Sequence, residues 1–213
     1  PQKSTGYLWT IRYALHLIAQ RPEERLLFDH QRKLAIFFGY EDNEEELAVE
    51  QFMHRYYRTA MHLAELNQTL LQLFDQGILH AHEDDLVVSI NRRFELRNGR
   101  LQACYPSLFL RQPFAMMEAF VILAQHPQCQ AIGAECKRLI QAYRHLIDDK
   151  YRRDIRVNSL FMELLRSPHH MSHTLLEMQR QGVLGDYLPA FNKIVGRMQH
   201  DMYHIYTVDA HCM

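Results

Sequence analysis

Residues 49–77 are VEQFMHRYYRTAMHLAELNQTLLQLFDQG, the longest periodic stretch of the chain. Apolar side chains recur there every three or four residues, which places them along one face of a helix. An acidic loop, residues 41–46, precedes the stretch, and Gly77 is a residue at which a helix can end. We therefore predict a long helix with one apolar stripe, which consists of Val49, Phe52, Met53, Tyr56, Ala60, Leu63, Leu70 and Phe74.

Helical periodicity continues on both sides of this stretch. A first helix is predicted over residues 4–20, and a second begins after Pro22, a favourable first helical residue, and stops at Gly39. Gly182 and Gly185 mark a loop near the C-terminus. The remaining predicted helices cover residues 116–125, 128–146, 157–165, 168–181 and 190–203.

A short region between the helices has the pattern of strands. Residues 86–90 are apolar and largely β-branched, and residues 94–96 and 101–103 alternate about the turn at Asn98 and Gly99. We predict a mainly α protein, a helical bundle-like array with a small antiparallel β-hairpin or three-stranded insert.

Length and composition narrow the class of protein. The 213 residues allow one large or two small domains, and 47% hydrophobic residues with a net charge of -1 exclude a disordered chain. The chain has no excess of basic residues that would favour a nucleic-acid partner. It also has no apolar run of the roughly 20 residues that a membrane span needs. The four cysteines lack the spacing of a zinc site, so we expect reduced thiols in a cytoplasmic protein.

Two pairs of polar residues near the N-terminus have helical spacing. Arg12 and His16 are one turn apart, as are Arg25 and Asp29, so each pair is expected to share a helix face. A planar guanidinium binds phosphate well, which makes Arg12 and Arg25 candidate phosphate ligands. The alternative is a surface ion pair between Arg25 and Asp29, with His16 satisfied at a helix boundary.

A polar stripe is expected on the long helix, where His54, Arg58 and His62 are spaced by four. This pattern favours a solvated or phosphate-facing surface. A metal site would need a carboxylate beside the two imidazoles, and Glu65 is only a near neighbour.

Four arginines surround the predicted hairpin. They form a candidate docking surface for an acidic partner or a phosphate, or the solvated face that hairpins commonly have. These residues are Arg92, Arg93, Arg97 and Arg100.

Histidines are frequent toward the C-terminus. His169 and His173 have the spacing of a ligand pair at a predicted helix start, where a neutral structural role is the alternative. Residues 198–211, MQHDMYHIYTVDAH, form the most distinctive stretch of the chain.

That stretch resembles the entry to the HD hydrolase domain of the bifunctional PII uridylyltransferase/uridylyl-removing enzymes. Residues 8–16, 25–31 and 49–58 resemble the helical half that follows the nucleotidyltransferase core in this family. Residues 182–191, GVLGDYLPAF, resemble its interdomain helical linker. The resemblance spans essentially the whole chain, so we expect the chain to be a central fragment of such an enzyme.

The resemblance implies an activity and a cofactor. Enzymes of this family transfer uridylyl from UTP to a tyrosine of the PII signalling protein and remove it by hydrolysis, in response to glutamine. Their transferase core binds Mg²⁺ through a Gly-Ser or Gly-Gly loop and paired Asp residues, which this sequence lacks. The family pattern makes His211 the first metal ligand of the HD domain and the doublet at His200 and Asp201 a look-alike, so that site is incomplete. We expect the fragment alone to be inactive.

The resemblance also implies a domain organisation. Residues 1–104 are expected to be the helical half of the transferase region with the β insert, 105–199 a helical linker domain, and 200–213 the start of a truncated HD domain. The oligomeric state stays open. Candidates for the wall that faces UTP or PII are Arg12, His16, Arg25, Asp29, Arg58 and His62.

Two other hypotheses compete with this interpretation. The chain is alternatively a non-catalytic helical module that docks a protein partner through the four hairpin arginines. A third hypothesis is a metal-dependent phosphohydrolase with ligands drawn from His169, His173, His200, Asp201 and His211.

Overall fold

The N-terminal segments with apolar side chains at helical spacing are helices. The computed structural model describes residues 2–74, 86–168, 170–197 and 207–211. Its first three helices are α1 (Gln2–Ala19), α2 (Phe28–Phe37) and α3 (Ala48–Phe74). Their apolar faces form one buried core, which includes Leu15 on α1, Leu34 on α2 and Phe52 on α3. The predicted long helix is confirmed, although Leu70 and Phe74 at the end of its stripe are exposed.

One helix in the second half of the chain is buried on all sides. α5 (Ala115–Gln125) consists of ten successive buried residues followed by Gln125, and it packs against α8 (Ile155–Leu165) and α9 (Met171–Arg180). Its sequence is apolar from Ala115 to Ala124 except at Glu118, which suits a helix that has no face toward water. The other helices described are α4 (Leu108–Arg111), α6 (Ala134–Tyr143), α7 (Asp149–Arg153), α10 (Val183–Tyr187), α11 (Pro189–Asn192) and α12 (Val208–His211), with a 3₁₀ turn at Arg144–Leu146.

A small mixed sheet lies between α3 and α6 in the sequence. β1 (Val87–Ser89), β2 (Phe94–Arg97) and β3 (Arg100–Ala103) pair antiparallel, with Asn98 and Gly99 at positive φ in the turn. β4 (Ala131–Ile132) pairs parallel to β3, and the strand order is β1-β2-β3-β4. The mainly α prediction is confirmed, and the insert has one strand more than predicted.

The second predicted helix starts later than its sequence suggests. Residues 22–27 form neither helix nor strand, and α2 begins at Phe28 rather than after Pro22. The carboxylate of Glu23 accepts a hydrogen bond from the backbone N–H of Arg25 at 3.0 Å, and such a local bond competes with helix formation. Gly39, with φ of 76°, follows the helix as predicted.

The predicted helix over residues 128–146 is wrong at both ends. Ala131 and Ile132 form β4, and α6 begins only after Gly133, whose N–H donates to the Leu101 carbonyl at 2.9 Å. At the other end the chain tightens into the 3₁₀ turn and then forms α7, which was not predicted.

The C-terminal predictions also need correction. α9 begins at Met171, and Gly185, expected in a loop, lies within α10. The helix predicted over residues 190–203 ends at Asn192, and a turn containing Gly196 at φ of 75° follows. Residues 198–203 lie outside the described part of the chain.

The described residues pack as two compact units, each with its own core. Residues 1–64 and 193–213 form the N-terminal unit, and residues 65–192 form the central unit, so the boundary falls within α3. The domain boundaries at residues 104 and 199 stay a prediction, because they concern domains of a longer protein. None of the helices that the structure describes is both long enough and apolar enough to cross a bilayer.

Candidate functional site

Arg12 and His16 lie on the same face of α1, as their spacing predicts. Both point to Oε1 of Glu24, which accepts hydrogen bonds from Arg12 Nε at 3.0 Å and Nη2 at 2.6 Å. Nε2 of His16 lies 3.5 Å from the same oxygen. The bonds from Arg12 lower the pKa of Glu24. A carboxylate of the chain itself therefore occupies the position in which a phosphate oxygen would bind Arg12.

Arg25 and Asp29 do not share a helix face, contrary to the prediction. Arg25 lies in the irregular segment before α2, and Asp29 lies in the first turn of that helix. Arg25 binds Glu23 instead, with Nε 3.1 Å from Oε1, and Arg21 donates to Glu23 at 2.8 Å. Hydrogen bonds from the side chain and backbone of Arg25, with that from Arg21, lower the pKa of Glu23 to about 2.

The third predicted set lies in an open groove along α3. The groove has a volume of about 450 Å³ and is hereafter the α3 groove. Nε2 of His54 is 3.0 Å from the carbonyl oxygen of Val195, which uses one nitrogen of that ring. The side chains that line the groove are neutral or basic: Ser4, Gln51, His54, Arg55, Arg58, Thr59 and His62.

The hairpin arginines do not form one uniform basic surface. Arg93 makes a bidentate ion pair with Glu118 of α5, with Nε 2.6 Å from Oε2 and Nη2 2.7 Å from Oε1. Its guanidinium also lies 5.4 Å from the centre of the Phe114 ring. Arg97 binds Glu95 at 3.0 Å. Arg93 therefore links the sheet to α5, while Arg92 is exposed and Arg100 is half-buried.

Metal ligands do not converge in the part of the chain that the structure describes. No group of three or more His, Cys, Asp or Glu side chains is placed there to hold a metal ion. His173 is an exposed residue of α9, and His211 ends α12, with its side chain outside the description. Residues His169, His200 and Asp201 also lie outside the described residues, so the metal hypotheses stay predictions.

The central unit contains a buried ionic cluster that was not predicted from the sequence. Nζ of Lys137 lies 2.6 Å from Glu177 and 3.9 Å from Glu65, and all three side chains are nearly inaccessible to water. Gln181 donates to Glu65 at 2.5 Å, and its own carbonyl accepts a bond from Gln141 at 2.7 Å. Glu65, the candidate third ligand beside His62, is therefore part of this cluster.

The cluster left no local signal in the sequence. Glu65 lies on α3 and Gln181 directly follows α9, so the two bonded side chains are 116 residues apart in the sequence. A charged residue is usually exposed, so each member alone predicts a solvated position. The apolar periodicity of α6, on which Lys137 lies between Cys136 and Leu139, was the single available hint.

Comparisons with known proteins match most of the chain. A family model described as "GlnD PII-uridylyltransferase" matches residues 2–71, and one described as "Uridylyltransferase GlnD third domain" matches residues 94–187. No solved structure matches the chain.

Curated relatives carry the name "Bifunctional uridylyltransferase/uridylyl-removing enzyme". That of Pseudomonas aeruginosa (strain UCBPP-PA14) is 50% identical over 210 residues, which are 99% of this chain and 23% of the relative. That of Stutzerimonas stutzeri (strain A1501) is 49% identical over 207 residues, 97% of this chain and 23% of the relative. The chain thus spans less than a quarter of the length of these relatives.

Proposed function

This chain belongs to the family of bifunctional uridylyltransferase/uridylyl-removing enzymes, and on that premise we propose that it forms the helical region of an enzyme that uridylylates PII. The whole enzyme transfers uridylyl from UTP to a tyrosine of PII and removes it by hydrolysis when glutamine is abundant. The observation that carries the proposal is the identity of about half of the residues over 99% of the chain. We place the enzyme and its partner PII in the cytoplasm.

Within this enzyme, the N-terminal unit contributes to the wall that faces UTP or PII. The candidate residues are held in two different ways. Arg12 and Arg25 are bound to Glu24 and Glu23, which orients their guanidinium groups and offsets their positive charge with a neighbouring carboxylate. Arg58 and His62 are exposed in the α3 groove, His16 on α1 lies beside Glu24, and Asp29 is an exposed residue in the first turn of α2.

The described residues do not fit a Mg²⁺ site. Phosphoryl and nucleotidyl transfer need carboxylates that converge on the metal. In the acidic loop, Asp42 accepts a hydrogen bond from the backbone of Ala48 at 2.7 Å, and Glu46 pairs with Arg197 at 2.6 Å. These carboxylates stabilise the loop, and we place the Mg²⁺ of the transferase reaction in another region of the enzyme. This chain by itself is accordingly proposed to be inactive.

The test of this function is a kinetic comparison in the full-length enzyme. Arg12→Ala removes a charged hydrogen-bond donor from the proposed wall, so we expect kcat/KM for UTP to fall about 10-fold or more. The matched control is Arg32→Ala, which removes an exposed arginine of α2 and is expected to leave kcat/KM unchanged. Unchanged kinetics of the Arg12 variant would remove Arg12 from the proposed wall.

The two alternative functions receive less support. In a docking module based on the hairpin arginines, Arg93 would not be available to a partner, because it is paired with Glu118. Salt-sensitive binding of PII that does not require UTP would favour this docking module. For the phosphohydrolase, stoichiometric metal in the purified chain would be the favourable result.

A further inference from the structure

Positive charge without a matching carboxylate collects in the α3 groove. Arg55 and Arg58 both line it, and within the described residues neither guanidinium pairs with an Asp or Glu. By contrast, the guanidinium groups of Arg12, Arg25 and Arg93 each bind a glutamate. The groove therefore differs from these arginine sites in having a charge that the chain itself does not neutralise.

Helix geometry keeps these charges close together. Arg55 and Arg58 are three residues apart on α3, and His62 follows one turn later, so the three side chains share a face. Like charges at this spacing repel one another and destabilise the helix. An anion bound between them would remove the repulsion.

The position of Arg55 is fixed by aromatic residues. Its guanidinium lies 4.4 Å from the centre of the Tyr7 ring, and Nη1 is 3.5 Å from the hydroxyl of Tyr40. Stacking on a ring holds a planar guanidinium while its N–H edge stays able to donate. Arg55 is thus arranged as a hydrogen-bond donor at the groove wall.

The neutral side chains that line the groove are Thr59, Gln51 and Ser4. The Thr59 hydroxyl donates to the Arg55 carbonyl at 2.8 Å and the Gln51 amide to the Glu41 carbonyl at 2.7 Å, so the charged donors available to a ligand are the two arginines. Guanidinium groups bind phosphate oxygens well, and a carboxylate in the lining would oppose them. A volume of about 450 Å³ is within the usual range for a small-molecule site.

We propose that the α3 groove binds the phosphate groups of a ligand, with Arg55 and Arg58 as the principal donors. The inference rests on the proposed function and assigns phosphate binding to this part of the nucleotide- or PII-facing wall. Two sources of phosphate exist in that function: the triphosphate chain of UTP and the phosphodiester of the uridylyl group on the modified protein.

The experiment is calorimetric titration of the 213-residue chain at low salt, without Mg²⁺, using tripolyphosphate, UTP and UMP as probes. We expect saturable binding that weakens at least 10-fold in the double variant Arg55→Gln/Arg58→Gln. Arg32→Gln on α2 is the matched control and should change the Kd less than 2-fold. Thr59→Glu, which adds a carboxylate to the lining while both arginines stay, should weaken binding as strongly as the double variant.

The probes separate the two sources of phosphate. If the groove binds the triphosphate chain, tripolyphosphate and UTP will displace each other and UMP will bind much more weakly. If it binds a single phosphate of the uridylyl group, UMP will bind at least as tightly as tripolyphosphate. Either pattern supports the proposal when it depends on Arg55 and Arg58.

Two results would overturn the proposal. One is the absence of binding of all three probes up to millimolar concentration; the other is binding that neither Thr59→Glu nor the double variant weakens. Thermal unfolding of each variant shows whether it is folded. A groove that binds no phosphate would leave the family membership and the Arg12 kinetics untouched, and an inactive role for Arg12 would leave phosphate binding in the groove untouched.

Discussion

Lys137 keeps its ammonium group inside the central unit at 2% exposure. Glu177 and Glu65 lie 2.6 and 3.9 Å from it, so the cluster has one cation between two carboxylates. Taking charges out of water is costly, and their mutual attraction offsets this cost only when all partners are present. The cluster therefore tolerates the loss of a partner poorly.

For this reason, replacing Lys137 should be strongly destabilising. Lys137→Met keeps most of the side-chain volume but leaves Glu65 and Glu177 buried without their cation, and we expect the free energy of unfolding to fall by about 3–5 kcal/mol. Urea denaturation followed by circular dichroism measures this. Lys150→Met, at an exposed position of α7, should change stability by less than about 0.5 kcal/mol. Similar losses in both variants would contradict a role for the buried charge.

Glu23 predicts an effect of acid on stability. Its pKa is about 2 in the folded chain, below the ordinary value of 4.5, because Arg25 and Arg21 donate hydrogen bonds to its ionised form. A lowered pKa stabilises the fold at pH values above 4.5, and this contribution is lost as the pH falls toward 2. Glu23→Gln should therefore be less stable than the unchanged chain at pH 7, with the difference shrinking between pH 4.5 and 2.

Thermal unfolding of both proteins from pH 7 to pH 2 tests this pH dependence. Glu44→Gln, in the exposed acidic loop, is the control and should show a small difference at every pH. A constant difference between Glu23→Gln and the unchanged chain across this range would show that the carboxylate does not act through its charge.

For individual side chains, helical spacing predicted which residues share a face only where no residue closer in the sequence offers an alternative partner. The shared face of Arg12 and His16 followed from the helix period, whereas Arg25 binds Glu23, two residues away, rather than Asp29. Glu24 was not predicted as the partner of Arg12, because it lies 12 residues away in the irregular segment after α1. Contacts between residues far apart in the sequence depend on how the chain folds back on itself, and residue spacing does not give this information.

At the scale of elements, two aspartates determine where helices start. The carboxylate of Asp148 accepts hydrogen bonds from the backbone N–H groups of Lys150 and Tyr151, both at 2.9 Å, at the start of α7. Asp154 accepts one from Arg156 at the start of α8. Each satisfies N–H groups that the first helical turn leaves unpaired.

Removing the first of these caps should weaken α7. Asp148→Ala is expected to lower the free energy of unfolding by about 1 kcal/mol, and Asp148→Asn, which keeps an acceptor, by much less. Chemical denaturation of the two variants provides the comparison. Asp149→Ala removes a neighbouring exposed carboxylate that is not a cap, and a loss as large as that of Asp148→Ala would argue against capping.

Long helices were predictable and short elements were not. α3 has apolar residues at helical spacing, and α5 is a long, nearly unbroken apolar run, so both helices could be predicted from the sequence. β4 has two residues, too few for any pattern, and it forms because β3 and the start of α6 hold it. α7 was missed although Asp148 precedes it, because its five residues contain little apolar periodicity.

At the scale of the whole molecule, the central unit has its own buried helix, sheet and ionic cluster. These features include the partners of Lys137, which all lie within residues 65–192. A polypeptide of residues 65–192 should therefore unfold cooperatively on heating, with a helical circular dichroism spectrum. The Lys137→Met change should lower its Tm as it does in the longer chain. A gradual transition without a midpoint would contradict an independent core.

The division into two units could not be predicted from sequence, because it falls inside the strongest helical signal of the chain. Periodicity identifies α3 as one element from Ala48 to Phe74, while its two parts belong to different cores. The candidate site was predictable in part: the basic stripe of α3 was visible, but Arg55 and the aromatic residues that hold it were not.

The parallel pairing of β4 with β3 has a consequence for the order of assembly in time. Short turns connect β1 to β2 and β2 to β3, so these strands pair residues that are close in the sequence. In contrast, β3 and β4 pair residues about 30 positions apart, with α4 and α5 between them. Closing the longer loop costs more chain entropy, and that cost is recovered only once α5 is packed. We therefore expect β1, β2 and β3 to pair early and β4 to join late, so that the two-residue strand β4 is added when the central core is completed.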